Sequence, residues 1–471
     1  MALGLPTVVG IDVGPYDAWV WTHLGRVVAL RTEPGLAVCW GAAPPPDARA
    51  VVHVPKDPQF LSQPEVLRCF ASTEPATTSP AVRPGSPPEV RLDVDVFSWF
   101  GWFISRAEEY EPFEADALGR FPRAAALAQQ LGIMEVPVAD RLALRLRAAI
   151  EAVAKAAGLT TAPYLPWPHG KRFAVCLTHD VDHATRRSVW RGGQLVAAAA
   201  ASLVRGRWSR ARRRLNWGLG LVRGGHHSPG WLFETFAEAE RQHGFRSAFY
   251  LLPYESDVVV EAGRTERRYR IRRPEVLETF RRLAAERWEL GLHTSYHAHD
   301  TADGLRDDWD RLCEVLGPGI QPVGSRSHAL RFRVPETWIQ GAACGIQYDA
   351  TLGWPEGFGF RSGTLWPYQP FDRRASRALP LWELGLHAMD THFPTLDGLV
   401  QKVRQVCDQA AEVGGCVCLL VHPTPPRHAE ATVKDFLRAY AAILDGLASR
   451  SDAWVATPRE VISRMIAAPQ G

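Results

Sequence analysis

The chain of 471 residues lacks several features that would settle its class at once. It has no excess of either charge: 54 basic against 51 acidic residues leave a formal +3, too balanced for a general nucleic-acid binder, so no nucleic-acid partner is expected. It has no long apolar run. The longest, Leu195 to Val204, is about half of the ~20 residues that a membrane-spanning helix needs. The N-terminus MALGLPTVVGIDVGPYDAWVW lacks a basic opening and carries Asp12 and Asp17 where a secretory apolar core would continue, so no signal peptide is expected. Its eight cysteines include no C-x-x-C pair, and Cys176, Cys416 and Cys418 sit in apolar strand-like runs. Buried thiols in a reducing, cytoplasmic setting follow.

What the chain does have is apolar residues at 46% and aromatics at 10%, enough for two or three sizeable cores. Residues 1–165 mix short strand signals, Thr7 to Ile11 and Ala50 to Val54, with a Pro/Ser/Thr-rich stretch, STEPATTSPAVRPGSPPEV, read as a surface loop. Helical patterns at Phe97 to Ile104 and Ala124 to Ala157 complete an N-terminal α/β accessory domain. Three prolines in Thr161 to Arg172 mark a linker, and 166–471 form the second domain. There, strand-like runs (Phe173 to Leu177, Ser247 to Leu252, Glu289 to Leu292, Gly415 to Val421) alternate with helical stretches, Trp231 to His243 and Pro274 to Arg287. That alternation argues for a parallel sheet or α/β barrel whose functional groups gather at the C-terminal ends of strands.

Three such ends carry titratable groups. LTHDVDH, Leu177 to His183, follows the first run; His293-Thr-Ser-Tyr-His297 follows the third; His422-Pro423 follows the last. A buried charge without a partner costs several kcal/mol, so aspartates and histidines delivered together to strand ends ask for a metal or for one another. His293 and His297, four apart, would share a face if the segment turned helical. Strand alternation turns His179 away from Asp180, while His183 could reach substrate.

The order T-x-D-x-D, H-T-x-x-H, an arginine-bearing loop and L-V-H-P resembles the polysaccharide deacetylases of carbohydrate esterase family 4, the NodB-homology family. The Asp-Val-Asp spacing is similar to its cytosolic branch, and Phe97 to Leu159 resembles an accessory domain that precedes some bacterial deacetylases. The resemblance implies a distorted (β/α)7 barrel over roughly Phe173 to Ile466 and metal-assisted removal of N-acetyl, sometimes O-acetyl, groups from sugars. It assigns Asp182, His293 and His297 to the metal, Zn²⁺ or another divalent ion such as Co²⁺, Ni²⁺ or Fe²⁺. Asp180 becomes the base and His422 the acid, with Arg326 orienting Asp180 and Arg331 as its substitute. Asp349 and Asp390 compete to partner His422. Arg361, Trp366 and His328 are candidate substrate contacts, the first two in Gly357 to Tyr368, where they would lie against a sugar.

Two patterns read as decoys: Val9 to Gly14, a phosphate-loop-like run, and Leu92 to Phe97, a second Asp-Val-Asp on an expected exposed strand face. The insert 184–230 is unusual, with ten arginines, no acidic residue and Trp190, Trp208 and Trp217 among leucines and valines. It reads as a basic helical hairpin over the barrel rim, suited to an anionic membrane surface on the inner face or to the phosphates of an activated or lipid-linked sugar. The expected partner is an acetylated sugar or glycan intermediate in surface-polysaccharide assembly. Two other readings keep the same residues: an allantoinase-like cyclic amide hydrolase and a non-catalytic carbohydrate-binding protein.

Overall fold

The computed structural model describes residues 3–10, 14–71, 79–225, 228–253, 258–259, 265–266, 269–424 and 432–468. Residues 11–13 of the phosphate-loop-like run and 72–78 of the Pro/Ser/Thr-rich stretch lie outside them. The N-terminal region holds a parallel four-stranded sheet in the order β1 (Thr7–Val9), β2 (Leu36–Trp40), β3 (Ala50–Val54), β4 (Glu89–Arg91). Helices α1 (Pro15–Val28), α2 (Val96–Ile104) and α3 (Val138–Ala156) pack with it. The end of the Pro-rich stretch is thus β4 rather than loop, because Val90 buries its side chain in the core. Nor is Leu92 to Phe97 an exposed strand. Asp95 is buried and caps α2 by accepting from the Ser98 amide, while also holding the Trp40 indole N–H at 3.0 Å and the Asp57 amide at 2.9 Å.

The rest of the chain builds one curled parallel sheet, the α/β barrel expected from the alternation. Its strands are β5 (Phe173–Val181), β6 (Ala248–Leu251), β7 (Glu289–His293), β8 (Gly324–Arg326), β9 (Tyr348–Asp349), β10 (Trp382–Glu383), β11 (Ala388–Met389), β12 (Cys416–Leu420) and β13 (Ala453–Val455). The order runs β10, β9, β8, β7, β6, β5, β12, β11, and β13 pairs with the start of β5. Its two ends, β10 and β11, follow each other in the chain, and no ladder joins them among the described residues. Helices α4 (Val189–Val204) and α5 (Trp208–Arg223) form the basic hairpin; α6 (Leu232–Gln242), α7 (Pro274–Ala285), α8 (Gly304–Leu316), α9 (Glu336–Cys344), α10 (Leu396–Val413), α11 (Val433–Ala448) and α12 (Pro458–Ala467) follow in the barrel.

All nine residues of β5 are buried, and alternation divides them between two faces. His179 points outward to a fully buried carboxylate, Glu240 of α6, which also accepts from Ser247, Trp288 and Tyr440 at 2.6–2.7 Å. Burial disfavours that charge, but these donors together hold Glu240 below its ordinary pKa. Thr178 and Asp180 point inward. All eight cysteines are free thiols, and Cys176, Cys416 and Cys418 are buried.

Lower in the barrel, Tyr250 and Tyr348 meet hydroxyl to hydroxyl at 3.0 Å, and Tyr348 donates to Glu289 at 2.7 Å. Glycines make their room. A Cβ at Gly324 would stand 1.9 Å from Cζ of Tyr348, and one at Gly291 2.6 Å from Cδ1 of Tyr250. The N-terminal region and the barrel share one apolar cluster, in which Trp19, Phe97 and Leu146 are continuous with Tyr250, Trp366 and Met465.

The tyrosine pair gives a stability test. Gly324→Ala should cost at least ~1–3 kcal/mol by overpacking, read as a lower urea midpoint. An unchanged midpoint would mean that the Tyr348 ring has room to swing away.

Candidate active site at the strand ends

The inward and terminal residues of six strands converge at the C-terminal end of the barrel. β5 delivers Asp180 and Asp182, β7 His293, β8 Arg326 and His328, β9 Asp349, β11 Asp390, and β12 His422. Each group needs a polar or charged partner at the point where its strand leaves the core.

Arg326 is fully buried and reaches across the interior. Its guanidinium donates to Ala350 O at 2.8 Å, Thr178 Oγ1 at 2.8 Å, Asp180 Oδ1 at 3.2 Å and Cys418 Sγ at 3.4 Å, and lies 4.7 Å from the Tyr250 ring centre. Arg331 does not compete for Asp180. It is bidentate to Asp300, at 2.8 and 3.3 Å, and donates to Leu118 O at 3.0 Å.

With Oδ1 of Asp180 held by Arg326, its Oδ2 faces Nε2 of His293 at 3.8 Å. Nδ1 of His293 donates to the Arg326 carbonyl at 2.9 Å, which leaves Nε2 as the ring's ligand atom. That Nε2 lies 3.5 Å from Asp182 Oδ1 and 3.1 Å from Nδ1 of His328, and the Asp182 oxygen is 3.8 Å from His328. The three ligand atoms lie within 4.8 Å of one another. Asp182 Oδ1 is buried yet accepts no hydrogen bond.

A divalent cation fits this donor set. One carboxylate and two imidazoles match a catalytic zinc site with a position left open, and the orphaned oxygen would gain its missing partner. Burial opposes the charge on both groups. The histidines nevertheless hold Asp182 well below the carboxylate range, and Asp180 and Asp182 raise His293. The carboxylates thus favour a proton on the His293 ring, whose place a cation would take.

His297 is not in this group. The chain after β7 forms a turn rather than a helix, so the four-residue spacing does not put both rings on one face. His297 is half exposed and pairs with Asp300 at 2.7 Å. His328, expected from the sequence as a substrate contact, stands where the third ligand was expected. Its signal was available in the sequence: His328 follows Arg326 by two residues as Asp182 follows Asp180.

His422 meets Asp390, not Asp349. Its Nδ1 donates to Asp390 Oδ1 at 2.7 Å, and its amide donates to Oδ2 at 3.1 Å. Burial lowers the His422 pKa, but Asp390, with Asp182 and Asp180 beyond, outweighs it and pushes it up to about 10. The pair's contribution to stability is therefore full below about 6.5 and fades as pH rises through about 10. Asp349 instead accepts from Ser325 and the Thr351 amide, both at 2.8 Å, and burial raises it to about 6.

Arg361 and Trp366 face the fold rather than a ligand. Arg361 is buried against Glu109 of the N-terminal region, at 2.7 and 2.9 Å, where Arg106 also binds. Trp366 stacks on Trp167 and donates to Val413 O, just before β12 begins and so at the far end of the barrel. His183 lines a cavity under the hairpin with Trp217 and several arginines. The N-terminal region reaches the site's rim, where Arg120 donates to Ala329 O at 2.6 Å beside His328.

Residues 51–155 match a family of unknown function (DUF7033). No curated protein matches the chain. Solved structures similar to it include a putative polysaccharide deacetylase from Mycobacterium smegmatis, at 18% identity over 64% of this chain and 92% of that one, with a TM-score of 0.41. A probable polysaccharide deacetylase from Pseudomonas aeruginosa PAO1 is similar at 15% identity over 66% and 96%, and Puue allantoinase at 13% over 66% and 96%, both with TM-scores of 0.42. None of these likenesses bears on which residues act.

The two candidate third ligands separate in a metal assay. Wild-type protein and His297→Ala should each hold about one zinc ion per chain after dialysis, and His328→Ala should lose it. Zinc kept by His328→Ala and lost by His297→Ala would restore the spacing argument.

Proposed function

We propose that the chain is a metal-dependent hydrolase that removes N-acetyl, or O-acetyl, groups from a carbohydrate carried on a nucleotide or a lipid. The observation that carries this reading is the placement of a carboxylate on one side of a two-histidine, one-aspartate cluster and an aspartate-backed histidine near it. Bound there by Asp182, His293 and His328, a divalent ion would lower the pKa of water and polarise an amide carbonyl.

This chain's own residues supply the proton transfers. Asp180, its Oδ1 fixed by Arg326, takes a proton from the attacking water through Oδ2. The C–N bond of the acetamide breaks, acetate forms, and the sugar nitrogen leaves as an amine only if protonated. His422 gives it that proton. Asp390 keeps the imidazolium charged and aims Nε2, because Nδ1 is occupied.

The hairpin supports a membrane-surface location for the substrate's lipid carrier. No helix among the described residues is long and apolar enough to cross a bilayer. Yet Trp190, Val204 and Trp208 are 75%, 90% and 71% exposed among arginines, a composition that favours anionic interfaces.

Acetate release from acetylated amino sugars should require the metal, and Asp180→Asn should lower kcat by about 10²–10⁴-fold. Asp390→Asn should shift the alkaline limb of kcat down by roughly one to three pH units, since His422 then loses its proton earlier. Ring opening of a cyclic amide without acetate release would reject the acetyl assignment.

In flotation with anionic phosphatidylglycerol vesicles, Trp190→Ser/Val204→Ser/Trp208→Ser should be recovered several-fold less than wild type. Equal recovery would remove the membrane contact.

A further inference from the structure

The hairpin encloses something besides an apolar edge. Between α4, α5 and the end of β5 lies a cavity of about 360 Å³, within the range of small-ligand sites. Arg191, Arg210, Arg213 and Arg214 line it together with Leu195, Trp217 and His183, and no carboxylate does. His183 is the residue after Asp182, so the cavity wall begins one peptide step, about 3.8 Å of chain, from the metal cluster.

Close packing of the two helices places the arginines along the cavity. Gly192 and Gly218 bring the two helices into backbone contact: a Cβ at Gly192 would stand 2.6 Å from Gly218 O, and one at Gly218 2.7 Å from Gly192 O. That contact fixes which faces of α4 and α5 look inward. Arg214 is tied across the hairpin to Ala198 O at 3.0 Å and Ser202 Oγ at 2.9 Å. Arg210 and Arg213 pair with no described residue, and the whole insert contains no Asp or Glu that could reach them locally. His183 meets the edge of Trp217 at 6.4 Å, which gives the cavity an aromatic wall.

Like charges gathered around a hollow repel one another, and an anion placed among them turns that repulsion into attraction. Guanidinium groups match phosphoryl oxygens in pairs, and a diphosphate offers enough oxygens for several at once. We propose that this cavity is a phosphoryl subsite. It binds the phosphate or diphosphate through which the substrate sugar is joined to its carrier, and so holds that sugar over the strand-end cluster. The assignment rests on the reading of that cluster as a sugar deacetylase.

The test is equilibrium binding of inorganic pyrophosphate to the full-length protein, which needs no turnover. Arg210→Ala/Arg213→Ala should weaken binding at least about tenfold, the loss expected for two charge-assisted contacts. Arg205→Ala/Arg212→Ala, which removes the same charge from outside the cavity, should change it less than about twofold. Asp182→Ala should still bind pyrophosphate, which excludes coordination through the metal.

Competition then identifies the carrier. Displacement by uridine diphosphate indicates a nucleotide; displacement only by phosphatidylcholine vesicles bearing a polyprenyl phosphate indicates a lipid. Equal weakening in both double variants, or no pyrophosphate binding by the wild type, overturns the subsite. If the subsite fails while acetate release and metal binding stand, the deacetylase reading survives; if acetate release fails while the subsite binds, only that reading falls.

Discussion

The arrangement at the strand ends depends on one buried cation. Arg326 has no exposure to water, and an unpaired guanidinium there would be prohibitive, so its donors must all be answered from within the barrel. They are answered by Thr178 and Asp180 of β5, the chain just after β9, and Cys418 of β12. The main chain of the same residue accepts the His293 Nδ1 proton. One side chain and one carbonyl thus orient the Asp180 carboxylate and set the tautomer of His293. Removing one partner of such a pair typically costs about 3–5 kcal/mol, because the other charge stays buried.

A second buried cluster joins the N-terminal region to the barrel. Glu109 receives both Arg106 and Arg361, with Glu108 adding a second carboxylate at 2.7 Å from Arg106. Asp140, pushed up to about 7 by burial, accepts from Thr364 and from the Leu365 amide. These contacts pin the long connection from β9 to β10, and Arg120 braces the turn that carries His328. That turn needs bracing: Ala329 and Leu330 adopt positive φ, at 54° and 52°, without being glycine. The N-terminal region therefore shapes the active end of the barrel without supplying a metal-ligand candidate.

Much of this was legible in the sequence because strand ends carry a pattern. Apolar runs of four to seven residues that stop at Asp or His announced where β5, β7 and β12 would end, whereas Gly324 to Arg326 of β8 was read as loop, and period-two alternation separated His179 from Asp180. The sequence reading and the structure part company where position depends on the path between elements. His297 was read through a helical spacing that the turn after β7 does not adopt. Arg361 and Trp366 look like ligands in a glycine-rich loop, but their partners, Glu109 and Val413, are distant in sequence. Whether Asp349 or Asp390 would meet His422 depended on strand order, which puts β11 beside β12 and β9 across the sheet.

The tyrosine pair under the active end has a consequence for traffic. Gly291 and Gly324 leave room inside the barrel for the buried rings of Tyr250 and Tyr348, and Tyr348 donates to Glu289. The barrel interior there is therefore packed side chain and not a channel. Whatever reaches the strand-end cluster comes and goes by the one open end of the barrel. A long chain cannot be threaded through such an interior. It can only reach over the rim from above.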